Sequence, residues 1–331
     1  MSVALRTVKL GVVDLKQVKT VLRRRLQLMS EGVHDRKVIV IVNGKGGVGK
    51  SSLAAALSAA LSKTGLKVLL VEIDEQGNQD EDLGTAASGL ADDGHAQAAA
   101  LLEGKPFEPV GEARPNLSVI PGGPALQDVI EELYCQRRVA VNSSDPEDQF
   151  AWMGMYAAAI DPVRHLYDVI ILDVAPGSEP LQLQALVAGD MTLVPTRSDP
   201  SSRKGLRTVA RRFAQARQLN PLLRLLGVVI FATASAATRV QKKIKNQLAE
   251  DLNGAAPVMD QTIRHVEAAA VACRTHGAVP QELAVDTTAD LDPAVRRSLR
   301  ALAGDYRSLA LEVLQAKAAL DQETTQEKGA A

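Results

Sequence analysis

Cysteine is nearly absent. The 331 residues hold two, Cys135 and Cys273, far apart and outside any CxxC pair. That excludes a disulfide framework and a cysteine-built zinc site. The five histidines, His34, His95, His165, His265 and His276, show no metal-ligand spacing either, and the two thiols read as inert core residues. Long apolar runs are also missing: the longest, Leu225 to Ala237, is about a dozen mixed residues, where a bilayer-spanning helix needs roughly 20. Arg6 and Lys9 stand where the apolar segment of a signal peptide would lie, so the expected compartment is the cytoplasm. With 46% hydrophobic and 23% charged residues the composition is that of a globular protein, which excludes disorder, collagen and coiled-coil rods. No internal repeat is present.

Net charge is −1, yet the charges are unevenly spread. Residues 72–150 hold 17 acids against 4 bases, whereas residues 197–245 hold 12 bases against the single Asp199. If the fold keeps these segments apart, one face is basic enough to attract a polyanion; if it intermingles them, none is.

Short β-branched runs recur between helical stretches: Val38–Val42, Val68–Ile73, Leu117–Ile120, Val169–Val174, Met191–Pro195 and Leu226–Phe231. Runs without polar alternation suit strands buried on both faces, and their alternation with helices predicts a doubly wound, mostly parallel α/β sheet. No linker divides residues 37–285, which read as one domain. Residues 1–36 form an N-terminal helical extension, in which Asp14 caps a helix placing Leu15, Val18, Leu22, Leu26 and Met29 on one face. Residues 286–331 form a C-terminal helix and polar tail. Asp292-Pro293 starts that helix, and its stripe Val295, Leu299, Leu302, Tyr306, Leu309 and Val313 suits docking on the body or a short coiled contact. From Asp321 the polar tail is expected to fray.

One motif carries chemistry. Gly44-Lys45-Gly46-Gly47-Val48-Gly49-Lys50-Ser51-Ser52 lies between the first strand and an Ala-rich helical run, and satisfies GxxxxGK[ST], the phosphate-binding loop. Glycines let backbone amides approach phosphates with no Cβ in the way, and a helix start behind them supplies orphan N–H groups and a positive dipole end. Gly46, Gly47, Val48, Gly49, Lys50, Ser51 and Ser52 are therefore the expected nucleotide contacts. Lys50 would reach the β- and γ-phosphates, and Ser51 would place its hydroxyl on Mg²⁺.

The string KGGVGKSS, with a lysine five places before Lys50, resembles the deviant Walker A loop of the ParA/MinD ATPases. The resemblance runs on in order through VLLVEIDEQGN (Val68–Asn78), NLSVIPGG (Asn116–Gly123), YDVIILDVAP (Tyr167–Pro176), the Ala185–Gly205 segment with Asp190 and Pro195, and the closing segment Ile263–Glu282. It implies a P-loop NTPase fold, ATP and Mg²⁺ as cofactors, Asp173 as the Walker B acid holding Mg²⁺ through water, and Asp74 orienting the attacking water. Lys45, by the same resemblance, crosses into the partner subunit of an ATP-bound homodimer and acts there like an arginine finger. It further implies nonspecific double-stranded DNA and a ParB-like or other cargo-adaptor protein as partners, in a cytoplasmic, nucleoid-associated ATPase for DNA partition or cargo positioning. The basic segment offers Arg203, Lys204, Arg207, Arg211 and Arg212 on one expected helix, and Arg239, Lys242, Lys243 and Lys245 on the next, as DNA contacts.

The chain departs from the family at Glu75, where a proline is usual, and in FATASAATR (Phe231–Arg239), which lacks an aspartate that many members carry. A nucleotide-gated scaffold with weak hydrolysis and a MinD-like membrane role are the alternatives. The acidic run after Asp321 would be repelled by an anionic membrane.

Overall fold

The computed structural model describes residues 15–30, 35–197, 202–231, 245–246, 248, 250 and 257–329. Its centre is a seven-stranded sheet formed by β1 (Val38–Ile41), β2 (Val68–Ile73), β3 (Gly111–Arg114), β4 (Leu117–Ile120), β5 (Val169–Val174), β6 (Met191–Arg197) and β7 (Arg224–Phe231), in the order β3-β4-β2-β5-β1-β6-β7. All neighbours are parallel except β3 and β4. Every residue of β1, β2 and β5 is buried, as expected for strands covered by helices on both faces. From β1 the chain moves to one side, to β2 and β4. From β5 it crosses to the other, to β6 and β7. That reversal opens a crevice at the carboxyl ends of β1 and β5, where open α/β sheets bind ligands.

Strand β3 departs from the sequence reading. Its four residues, Gly-Glu-Ala-Arg, are only partly buried and carry no β-branched side chain, so composition gives no strand signal. Asn116, at φ 63, turns the chain back and seats it antiparallel on β4.

Helices α1 (Leu15–Ser30), α4 (His95–Glu103), α5 (Leu126–Ala140), α7 (Met155–Ile160), α8 (Glu179–Ala188) and α9 (Ser202–Ala216) belong to the apolar core on one face of the sheet. Helices α2 (Lys50–Ser62), α10 (Glu267–His276), α11 (Pro280–Leu283) and α12 (Pro293–Gly329) build the core on the other face. The short α3 (Gln79–Asp82) follows β2, and α6 (Pro146–Ala151) precedes α7.

The predicted α12 stripe docks on the body: Leu299, Leu302, Tyr306, Leu309 and Val313 are all buried in the same core as α2. Arg264 on the body pairs with Asp305 of this helix at 2.7 Å. The tail does not fray at Asp321, because the helix runs on to Gly329. Asp321 accepts from Arg36 at 3.0 Å and from Lys317 one turn earlier at 2.8 Å, and these ties carry the helix past the end of its apolar stripe.

Helix α1 lies against the opposite face. Val18 and Leu22 are buried, and Gly154 lets them in, since a Cβ there would stand 2.5 Å from Val18 Cγ1. Leu26, expected on the packed face, is instead 45% exposed. Arg25 is drawn inward to Asp161 and donates to the Val187 carbonyl at 2.7 Å. The thiols divide. Cys273 is buried, with its pKa pushed up to about 12, and is inert. Cys135 is exposed on α5, which corrects its reading as a core residue.

Candidate nucleotide site

The phosphate-loop sequence folds as its glycines require. Gly47 and Gly49 take left-handed backbone at φ 70 and 84, a region that other residues enter at a cost. At Gly49 a side chain is doubly excluded, because a Cβ would lie 2.3 Å from Cε1 of the Phe231 ring. Gly49 also caps α2 with no side-chain acceptor on its first-turn amides, so the donors at that helix start are available to an anion. Lys50 is buried, and its Nζ donates to the Lys45 carbonyl at 3.2 Å. Burial lowers its pKa, against the pull of Asp173 and Asp74. A dry ammonium partnered mainly by a carbonyl is poised for a stronger acceptor.

Sheet register brings the acids to this ammonium. Asp173 on β5 stands beside Ile41 of β1 on one side and Glu72 of β2 on the other. Its carboxyl is pushed up to about 6 by burial, with Gln79, Ser51 and Lys50 opposing the rise. Asp74, just past β2, is buried and accepts from the Gln76 amide at 3.0 Å and from Asn78 at 3.2 Å. Burial raises its pKa too. Glu72 is raised well above the usual carboxylate range by burial and by Asp173. Its oxygens accept from the Gln79 and Gly122 amides.

Sequence reasoning passed over four residues here. Glu72 was visible as the one charged position inside the apolar run of β2. Gln79 donates from Nε2 to Asp173 Oδ2 at 2.9 Å and to the Ser51 carbonyl at 3.2 Å. Asn43 accepts from the Lys45 amide at 2.9 Å and donates to the Pro195 carbonyl at 2.7 Å. Gln182 on α8 donates to the carbonyls of Ala175 and Pro176, just after the Walker B strand. Nothing in the sequence distinguishes the last three from surface amides.

Lys45 is half-buried next to the start of α9: its Cβ lies 3.4 Å from where Gly205 would carry one. Arg207 and Arg211 are exposed on α9. Arg212 is not part of that exposed row. It turns inward, donates to Gln182 Oε1, and burial lowers its pKa. Arg203 and Lys204 fall in the first turn of α9, whereas Arg239, Lys242 and Lys243 lie outside the described residues. Lys245 is half-buried and engages Asp260. Within the sheet, the acidic segment supplies β3 and β4 at one edge and the basic segment supplies β7 at the other. Beside Ser52, a cavity of about 80 Å³ is lined by Phe231, Ile263, Arg264, Val279 and Tyr306.

A family model described as an AAA domain matches residues 36–225, more than half of the chain. The chromosome-partitioning ATPase Soj of Thermus thermophilus is 31% identical over 194 residues, 58% of this chain and 68% of that protein. The chain belongs to the ParA/MinD-type ATPase family. The chromosome partitioning protein ParA of Myxococcus xanthus is likewise 31% identical over 222 residues, 66% of this chain and 71% of its own. A Borrelia burgdorferi protein solved bound to AMPPNP shares the fold at a TM-score of 0.58 and 20% identity, covering 85% of this chain and 99% of that one. The ParA/MinD-type resemblance and the P-loop fold expected from the sequence are therefore borne out. Among the described residues, no helix is long and apolar enough to cross a membrane.

Proposed function

We propose that this ParA-type protein hydrolyses ATP with Mg²⁺ and uses the cycle to segregate DNA or to position another large cargo. The observation that carries the reading is the meeting of Lys50, Ser51, Asp74 and Asp173 at the mouth of one glycine-built loop. The amides of Gly46 to Ser52 and the Lys50 ammonium hold the phosphates. Ser51 and, through water, Asp173 would hold Mg²⁺, which neutralises charge on the β- and γ-phosphates. Asp74 orients the attacking water, whose oxygen bonds the γ-phosphorus as the bond to ADP breaks; a carboxyl raised above its usual range suits taking up the proton released. The cavity beside Ser52 receives the adenine.

ATP joins two subunits, with Lys45 of each reaching the nucleotide of the other. The dimer then binds DNA without sequence preference through Arg207, Arg211 and neighbouring bases, and a ParB-like or other cargo-bound adaptor stimulates hydrolysis and release on the nucleoid. The partition roles for which the Thermus and Myxococcus relatives are named support this, as do the exposed Arg207 and Arg211 on α9. Retention of a random-sequence duplex is the test. It should require ATP, weaken steeply with salt at about 0.9 logarithmic units per phosphate neutralised, and be lost in an Arg207→Glu/Arg211→Glu variant that still binds ATP. An unchanged salt slope in that variant would exclude α9 as the DNA surface.

A further inference from the structure

Gln79 leaves one polar atom without a function beside the phosphate loop. Its carboxamide faces two groups that only accept hydrogen bonds when Asp173 is ionised, the Asp173 carboxylate and the Ser51 carbonyl, so the end meeting them is Nε2. The oxygen of the same amide, Oε1, is then buried with no donor. Gln79 is 2% exposed, so bulk solvent has little access to that oxygen. Leaving it unmet is costly, and the carboxamide is held in place by the two bonds its Nε2 donates to Asp173 and the Ser51 carbonyl.

Acids outnumber ammonium groups around this amide. Glu72, Asp74 and Asp173 are all buried here, and Asp173 and Asp74 each raise the pKa of Glu72, against the one buried ammonium of Lys50. Among the described residues, no group of three His, Cys, Asp or Glu side chains could by itself hold a bare ion. That suits a cation which keeps much of its water, and bound waters need acceptors for their hydrogens.

We infer that Gln79 Oε1 is an acceptor for the hydration shell of Mg²⁺, making Gln79 a metal-positioning residue in addition to Ser51 and Asp173. This rests on the Mg²⁺-ATP reading above and adds a consequence to it. Through the two ends of the Gln79 carboxamide, the start of helix α3 is tied to Asp173 and, once the ion is bound, to the metal's water as well, so the ion adds one further tie to the segment following Asp74.

Calorimetry with ADP, in EDTA and in excess MgCl₂, tests this without measuring turnover. Native protein should bind ADP in both and gain affinity from Mg²⁺. Gln79→Leu should keep the EDTA affinity and lose about tenfold or more of the Mg²⁺ gain, the usual effect of removing a group that supports a metal ligand. Gln79→Glu, which keeps an acceptor but not the donor, should retain most of the gain. A native-sized gain in Gln79→Leu overturns the inference, and so does an equal loss in both variants, which would make the donor tether the only role. If Gln79→Leu fails to bind ADP even in EDTA, Gln79→Glu decides alone: keeping the gain supports the role, losing it refutes it. Failure of the native protein to bind ADP at all would instead refute the nucleotide reading.

Discussion

Asp173 is the residue whose removal should make the empty protein more stable. Its carboxyl is moved from an ordinary 3.8 to about 6 by burial between two strands, a displacement worth about 3 kcal/mol at 1.36 kcal/mol per pH unit. The sign follows from linkage: a raised folded pKa means that the folded state holds the proton better than the unfolded chain does. The contribution is fully present below about pH 4 and is lost as pH rises through about 6. Asp173→Asn cannot ionise, yet its amide oxygen still accepts from Gln79. In urea unfolding without nucleotide or metal, the variant should match the native protein near pH 4 and exceed it by about 3 kcal/mol at pH 7.5. With Mg²⁺ and ATP the order should narrow or reverse, because ligand binding stabilises the native protein and the variant has lost the acid that supports the metal. Equal or lower stability of Asp173→Asn at pH 7.5 would refute the reasoning, since it would mean the buried carboxylate carries no unmet charge.

Two further outcomes are expected. Lys45→Ala should bind ATP as a monomer and fail to dimerise or hydrolyse, as light scattering with ATP and a phosphate-release assay would report; an active dimer would remove the lysine from the interface. Leu309→Ala on α12, fully buried against the α2 side of the sheet, should cost about 2–5 kcal/mol, seen as a lower urea midpoint with an unchanged slope, and ATP affinity should persist where the protein is folded.

The parts of this chain legible in its sequence are those governed by repetition or by steric necessity. Six strands announce themselves as continuous β-branched runs because both their faces are covered. The phosphate loop is readable because left-handed backbone at Gly47 and Gly49 leaves few residue choices. Strand β3 is hidden because an edge strand held by pairing with β4 needs no apolar pattern of its own. Arg211 and Arg212 show why basic residues alone do not define a surface: neighbours on a helix point about 100° apart, and here one meets solvent while the other meets Gln182. Gln79 and Asn43 matter through contacts made across 28 and 152 positions of sequence, and Gln182 through carbonyls six and seven residues before it; a lone amide carries no mark of the partner it will find.

The placement of strands from the acidic and basic segments at opposite edges of the sheet has a consequence for motion in solution. A body of net charge −1 feels almost no overall pull from a distant polyanion, but separated charges form a dipole, and a field exerts torque on a dipole even when the net force is small. A body with such a dipole turns its basic side toward the polyanion before it is drawn in. At physiological ionic strength the screening length is about 8 Å, far shorter than the width of the sheet, so the alignment acts only in the last few ångströms of approach. Lower salt would lengthen its reach and would change the rate of encounter more than the lifetime of any complex formed.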